Sequence, residues 1–169
     1  MQRIAKFEKI SEENFRVAWQ ERFGTDEGAG EALAALPLPR RATAGSAGYD
    51  FFLPFAVTLR PNETVKIPTG IRARMAEGWV LMLYPRSGLG FKYRLQLNNT
   101  VGVIDSDYYF SSNEGHIFVK LTNDSNEGKV LTLQAGDAFA QGIFTPFGIT
   151  EDDGADGVRD GGFGSTSRG

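Results

Sequence analysis

One carboxylate, Asp105, stands where it could act as a general base. An apolar run from Val101 to Ile104 leads directly to it, so a strand would deliver the carboxylate to a fixed point. A carboxylate set in a partly apolar wall can accept a proton from water. Tyr108 follows three residues later and offers a flat ring to a sugar or a base. The same residues also fit an ordinary hairpin with an Asp-Ser-Asp turn.

Three further stretches carry groups that suit a phosphorylated ligand. Arg86, Ser87 and Gly88 follow an apolar strand-like run, and such groups can hold phosphate oxygens at a tight turn. Asp50 begins another strand-like run, where its carboxylate could face a metal ion or the water bound to it. Gln141 lies in an alternating strand and could donate to phosphate. Each also has a simpler interpretation when taken singly. Residues 86–88 fit an ordinary β-turn, Asp50 fits a residue that makes turn hydrogen bonds, and Gln141 fits a side chain that hydrogen-bonds the backbone.

The C-terminal residues 151–169 are predicted to form a flexible acidic linker followed by an arm. The linker is too polar to bury enough apolar surface to order itself. In the arm, glycine amides can converge on an anion, and hydroxyl groups add donors. The arm's candidate binding residues are Arg159, Phe163, Gly164, Ser165 and Thr166. A disordered Gly/Ser tail is the alternative, although a purely solvating tail has no use for an exposed aromatic ring.

Composition argues against several kinds of chemistry. The net charge of −3 gives no general attraction to nucleic acid or to an anionic membrane, so we expect neither as a partner. The lack of cysteine removes disulfides, thiolate metal sites and thiol nucleophiles. His116 is the sole histidine, and its apolar strand-like surroundings favour a structural residue, packed or exposed at a sheet edge, over a ligand or a triad member. We find no signal-like or membrane-spanning run, and therefore expect a cytoplasmic protein.

Two kinds of element position these groups. Apolar residues repeat at helical spacing after the capping residue Ser11, which predicts a helix over about 11–23. Residues 25–35 are rich in Gly and Ala and are expected to form a surface loop with about one helical turn. From 49 to 147, short apolar runs alternate with turn clusters, which predicts an all-β sandwich or barrel. We therefore predict a single β-barrel domain over residues 1–150.

In chain order, these stretches resemble the five motifs of the trimeric deoxyuridine triphosphatase (dUTPase) family. The matching stretches are Ala-Gly-Tyr-Asp at 47–50, Pro-Arg-Ser-Gly-Leu-Gly at 85–90, Gly-Val-Ile-Asp-Ser-Asp-Tyr at 102–108, Gly-Asp-Ala-Phe-Ala-Gln at 136–141 and Gly-Gly-Phe-Gly-Ser-Thr at 161–166. The resemblance runs from about Leu38 to Ser167 and leaves the first helix outside. It implies a jelly-roll-like β-barrel that forms a threefold homotrimer, with three active sites at the subunit interfaces.

The resemblance implies hydrolysis of dUTP to dUMP and pyrophosphate by attack of water on the α-phosphorus. This reaction keeps uracil out of DNA and supplies dUMP for dTMP synthesis. Asp105 resembles the base that activates the water, and Tyr108 resembles the platform under deoxyribose that leaves no room for a 2′-hydroxyl. Asn99 and the backbone of Val103 and Ile104 resemble the hairpin that hydrogen-bonds uracil.

The remaining motif residues resemble groups that bind the triphosphate. Those matching the family's phosphate contacts in the barrel are Arg86, Ser87, Gly88 and Gln141. Asp50 resembles the carboxylate that orients water bound to Mg²⁺, the metal itself lying mainly on the triphosphate. The arm resembles a segment that closes over bound nucleotide. In it, Phe163 would stack on uracil, and the residues near the terminal phosphates would be Arg159, Gly164, Ser165 and Thr166.

The sequence departs from the family pattern in two places. The segment Tyr109–Gly115 stands where the family usually has Arg-Gly, and Arg159 lies four residues before Phe163 rather than five. Two alternatives stay open. A deaminase of deoxycytidine triphosphate shares the barrel, although residues 102–108 resemble the uracil hairpin instead. A binding or regulatory protein on the same scaffold would act through the first helix or through the Tyr109–Gly115 segment.

Overall fold

Short antiparallel strands are the main regular elements of the chain, as the alternation of apolar runs and turn clusters predicts. The computed structural model describes residues 2–159. Its strands are β1 (Ala5–Lys9), β2 (Tyr49–Phe52), β3 (Val57–Leu59), β4 (Thr64–Pro68), β5 (Ile71–Met75), β6 (Trp79–Pro85), β7 (Leu95–Leu97), β8 (Gly102–Ile104), β9 (Phe118–Asn123), β10 (Leu131–Leu133) and β11 (Ala138–Pro146). Its helices are α1 (Glu12–Phe23), α2 (Ala29–Ala35), α3 (Ser87–Tyr93) and a 3-10 helix (Ser106–Phe110).

Within residues 2–159 the strands form four small antiparallel sheets. Their orders are β2-β11-β6-β8, β4-β9-β7, β1-β5 and β10-β3. The first of these sheets carries most of the candidate site, because β6 lies between the strands that bear Gln141 and lead to Asp105. The predicted all-β class is confirmed.

Alternating residues of the sheets fill one hydrophobic core. Phe51, Leu81 and Phe139 are fully buried there, and full burial of such a side chain stabilises the fold by about 1.5–3 kcal/mol. Gly142 makes close packing possible on β11, because a Cβ atom there would come within 2.8 Å of a Leu81 methyl group. The central sheet is therefore fixed by its buried face, and its strand ends are left to carry polar groups.

The N-terminal segment packs against this core and corrects part of the sequence analysis. Helix α1 begins after Ser11, whose hydroxyl accepts the Asn14 N–H, and ends at Gly24 with φ 75°, close to the predicted limits. Residues 25–35 were expected to form a loop with about one helical turn, but Ala29–Ala35 forms helix α2, which is about two turns long. Ala29 and Leu33, four residues apart, are its buried residues. This weak helical signal was masked by the Gly and Ala around them.

The sole histidine is a packed residue, as predicted. His116 is 2% exposed, and its ring centroid lies 4.2 Å from that of Phe118. Its Nε2 accepts the N–H of Gly70 at 3.0 Å. Burial lowers the pKa of His116 to about 3. The side chain therefore stays neutral and helps to hold the β4–β5 turn.

We predict that His116 makes the folded state sensitive to acid. Below pH 6.5 the unfolded chain gains a proton at this imidazole, whereas the folded chain binds it only near pH 3, so stability falls as the pH falls between these values. Between about pH 7 and pH 5 the loss amounts to about 2 kcal/mol. The variant His116→Gln keeps an acceptor for Gly70 but cannot bind the proton.

Urea unfolding of both proteins at the two pH values tests this. The loss of unfolding free energy should be smaller in His116→Gln than in the parent protein. Carboxylates such as Glu8 titrate in both proteins and cancel from the difference. Equal losses would show that His116 is not the group responsible.

Candidate active site

Asp105 lies where β8 passes into the 3-10 helix. Ile104, the last residue of the strand, is 1% exposed, so the sheet fixes the point at which the Asp105 side chain emerges. That side chain is 50% exposed. Arg159 donates from Nη2 to Asp105 Oδ2 at 2.6 Å and from Nε to Asp107 Oδ1 at 2.9 Å. One guanidinium therefore bridges both carboxylates of the Asp-Ser-Asp turn.

The ring of Tyr108 lies beneath the same guanidinium. The Cζ atom of Arg159 is 5.8 Å from the ring centroid, and Tyr108 is 3% exposed. Its hydroxyl donates to the carbonyl oxygen of His116 at 2.6 Å and accepts from Asn113 Nδ2 at 2.8 Å. Burial raises the pKa of Tyr108. The structure thus places Asp105, Tyr108 and Arg159 together.

The other candidate groups gather at the far end of β6. Arg86 Nε lies 3.2 Å from Asp50 Oδ1. Gln141 lies on β11, opposite Asp50 of β2 on one side and opposite Tyr84 of β6 on the other. Its Nε2 donates to the carbonyl oxygen of Pro85 at 3.2 Å. Asp50, Arg86 and Gln141 therefore form a second cluster.

The residues after Arg86 differ from the predicted tight turn. Ser87 and Gly88 open helix α3, for which Arg86 is the preceding cap residue. All three residues are exposed, so their polar groups face solvent. Extended backbone at Arg86, with φ −65° and ψ 137°, turns the chain out of the sheet before the helix begins.

The stretch predicted to form the uracil hairpin is the turn between β7 and β8, but these two strands lie in different sheets and do not pair with each other. Asn99 is exposed at this turn, and its carbonyl oxygen accepts the N–H of Val101 at 2.7 Å. Thr100 has φ 67°, which lets the turn close on itself. Val103 is 49% exposed. The turn therefore presents Asn99, and the edge strand β8 presents an accessible face next to Asp105.

Strand geometry separates the two clusters. Asp105 follows the residue that pairs with Leu81, whereas Arg86 follows the end of β6. From Leu81 to Arg86 the chain advances five residues, roughly 16 Å at the rise of an extended strand. A general base and the groups that bind the reacting phosphate must both lie next to that phosphate. Within a single chain, the Asp105 cluster and the Arg86 cluster are too far apart to do this.

The segment Tyr109–Gly115 holds site residues that the sequence analysis missed. Its Asn113 contacts the Tyr108 hydroxyl, and its Glu114 accepts the Ser11 N–H through Oε2 at 2.8 Å. Asp107 was also missed, although its spacing of two residues from Asp105 was a usable signal. No local pattern could have shown that the segment folds back onto Tyr108.

Some predicted residues lie outside the described part of the chain. They are Phe163, Gly164, Ser165 and Thr166. Among residues 2–159, no group of three or more His, Asp or Glu side chains is arranged to hold a metal ion. In the same range, no helix has the length and apolar character needed to cross a membrane.

Comparison with known proteins places this chain in a family. A family model described as dUTPase matches residues 34–167. The deoxyuridine 5′-triphosphate nucleotidohydrolase of Lactococcus lactis subsp. lactis is 43% identical over 136 residues, which cover 79% of this chain and 89% of the relative. The enzyme of the same name from Escherichia coli O9:H4 is 40% identical over 141 residues, with the same two coverages.

Solved structures with a similar fold are also dUTPases. The dUTPase of Streptococcus mutans matches 88% of this chain and 98% of its own, with a TM-score of 0.63 and 36% identity. A mutant dUTPase from phage phi11 of S. aureus, reported with a structural Mg(II) ion, matches 92% and 98% with a TM-score of 0.62. At 21% identity it supports the fold alone. The jelly-roll-like fold is confirmed, and the chain belongs to the dUTPase family.

Proposed function

We propose that this member of the dUTPase family hydrolyses dUTP to dUMP and pyrophosphate with Asp105 as the base. The observation that carries this role is the half-exposed carboxylate that β8 delivers beside the Tyr108 ring. A general base must reach the proton it removes, and an exposed carboxylate at a fixed strand end can do so. Arg159 contacts Oδ2, so we assign Oδ1 to the attacking water.

The sugar and the base of the nucleotide would bind between Tyr108 and the turn that carries Asn99. Asn99 and the backbone of Val103 and Ile104 would hydrogen-bond uracil, and the Tyr108 ring would support deoxyribose. The guanidinium of Arg159 lies over that ring and must move aside when the sugar binds. The displaced guanidinium would then be available to the terminal phosphates.

The triphosphate would bind to the second cluster and to the arm. The barrel contacts in this proposal are Arg86, Ser87, Gly88 and Gln141. The arm contacts are Arg159, Gly164, Ser165 and Thr166, with Phe163 stacked on uracil. The Asp50 carboxylate is already ion-paired with Arg86. It would therefore act on the metal through a bound water and not as a direct ligand. Mg²⁺, held mainly by the triphosphate, would neutralise phosphate charge.

The two clusters would meet between copies of the chain. Asp105 and Arg86 lie at opposite ends of β6, so a site containing both is formed most simply by two neighbouring chains. A threefold homotrimer, the assembly implied by the family, closes this contact and repeats it three times. We place this enzyme in the cytoplasm, with access to the nucleotide pool that supplies DNA synthesis.

Replacing the base tests the chemistry. Asp105→Asn keeps the shape of the side chain and removes the proton acceptor, so dUTP turnover should fall by about 10² to 10⁴. Pyrophosphate release is the measurement. Asp124→Asn is the matched control, because Asp124 is also an exposed carboxylate paired with an arginine, at 2.9 Å from Arg94. Near-normal turnover by Asp105→Asn would refute the assignment.

Mixing two inactive variants tests the shared site. Asp105→Asn and Arg86→Ala should each be inactive alone. If Asp105 and Arg86 act from different chains of a trimer, an equal mixture unfolded and refolded together should regain about a quarter of the parent activity. Light scattering should show a trimer in every sample. If both residues act within one chain, the mixture will stay inactive.

Removing the arm tests its contribution separately from that of Arg159. A protein ending at Arg159 should keep the parent melting temperature, because residues 151–158 before it are exposed. Its turnover should fall by orders of magnitude, since contacts to the terminal phosphates and exclusion of water are lost together. Phe163→Ala should be milder, about 1–3 kcal/mol for a lost base stack. Full activity of the shortened protein would contradict a closing arm.

A further inference from the structure

The hydroxyl of Tyr108 is held by two groups from the segment that follows it. It donates to the His116 carbonyl oxygen at 2.6 Å and accepts from Asn113 Nδ2 at 2.8 Å. The 3-10 helix fixes the other end of the residue through its backbone. Because the ring is anchored at both ends, its long axis cannot swing without breaking the buried hydrogen bond to the His116 carbonyl.

Asn113 is oriented by the turn in which it lies. Its Oδ1 accepts the Gly115 N–H at 3.2 Å, which directs Nδ2 towards Tyr108. Gly115 has φ 70°, and a Cβ atom there would lie 2.7 Å from Tyr109 Cα. The segment therefore closes tightly on the backbone that carries the Tyr108 ring, and Asn113 has little freedom to move away.

The segment is braced in turn by the N-terminus of the chain. Glu114 Oε2 accepts the Ser11 N–H at 2.8 Å, at the residue that caps α1. This bond is the main reason why the pKa of Glu114 is lowered. The Tyr109 hydroxyl donates to Glu8 Oε2 at 2.5 Å. Both contacts come from residues outside the part of the chain matched by the family model.

We propose that Asn113 is a positioning residue that sets the preference of this enzyme for deoxyribose over ribose. The inference rests on the proposed role of Tyr108 as the sugar platform. Exclusion of a 2′-hydroxyl depends on the clearance between the ring and the sugar. A ring free to tilt offers more room to ribose and a poorer surface to deoxyribose. The Tyr109–Gly115 segment therefore contributes to substrate choice without touching the substrate.

The test compares kcat/KM for dUTP with kcat/KM for UTP. In Asn113→Ala the ratio of the two should fall about five- to tenfold, the worth of one net hydrogen bond. Tyr108→Phe removes this bond together with the one to the His116 carbonyl oxygen, so it should lower the ratio at least as much. Adding Asn113→Ala to Tyr108→Phe should then change little, because the phenylalanine ring has no hydroxyl for Asn113 to contact.

Two further variants separate positioning from loss of stability. Leu131→Ala shortens a core side chain on β10, which is 1% exposed and pairs with β3 in a different sheet from β6, so it should lower the melting temperature and leave the substrate ratio unchanged. Glu114→Gln keeps an acceptor for the Ser11 N–H and should retain the parent ratio, whereas Glu114→Ala should lower it.

The outcomes are distinguishable. An unchanged ratio in folded Asn113→Ala would overturn the inference, as would independent, multiplying effects in the double variant. If Asn113→Ala does not fold, an unchanged ratio in Tyr108→Phe would overturn it equally. A parent protein that hydrolyses dUTP with preference over UTP supports the proposed function whatever Asn113 does. A parent without dUTP hydrolysis would overturn the proposed function, and this inference with it.

Discussion

The register of β6 with its two neighbours determines where every candidate group lies. Its partners are β8 on one side and β11 on the other. Side chains alternate across a sheet, so a slip of one residue would turn Ile104 out of the core and redirect Asp105. Burial of Leu81 and Ile104, both at most 1% exposed, opposes such a slip. The hydrophobic core thus sets the position of a carboxylate that itself faces solvent.

The same strand explains how the free protein balances its charges. The proposed base and the proposed phosphate contacts lie at opposite ends of β6, and each cluster pairs its own charges, Arg159 with Asp105 and Arg86 with Asp50. Partly exposed ion pairs of this kind contribute little to stability. An anionic ligand could therefore replace a carboxylate as the partner of either arginine at small cost. Under the proposed function, both arginines already lie near the positions at which they would bind the triphosphate.

Local patterns predicted the elements well where one face is buried. Strands β2 to β11 all lie within the region 49–147 that was predicted to be β, and α1 follows its cap. Helix α2 was missed because alanine and glycine mask a helical period. Strand β1 was missed because Phe7 is its one buried residue, so no alternation of apolar and polar residues marks it. Candidate groups carried by consecutive motifs, such as Asp105 and Tyr108, could be proposed from sequence, and the structure brings them together. Asn113 could not, because its role depends on a chain reversal.

Two segments that the family motifs do not cover contact each other in the fold. Two hydrogen bonds join the N-terminal segment to the Tyr109–Gly115 segment. Ser11 and Glu114 are 103 residues apart in the sequence, and Glu8 and Tyr109 are 101 residues apart. No local pattern contains contacts of this range, and each segment alone looks like an addition to the barrel. Together they brace the ring of Tyr108 from behind. A motif can therefore identify the residue that touches a ligand, while its exact placement is decided by residues that no motif includes.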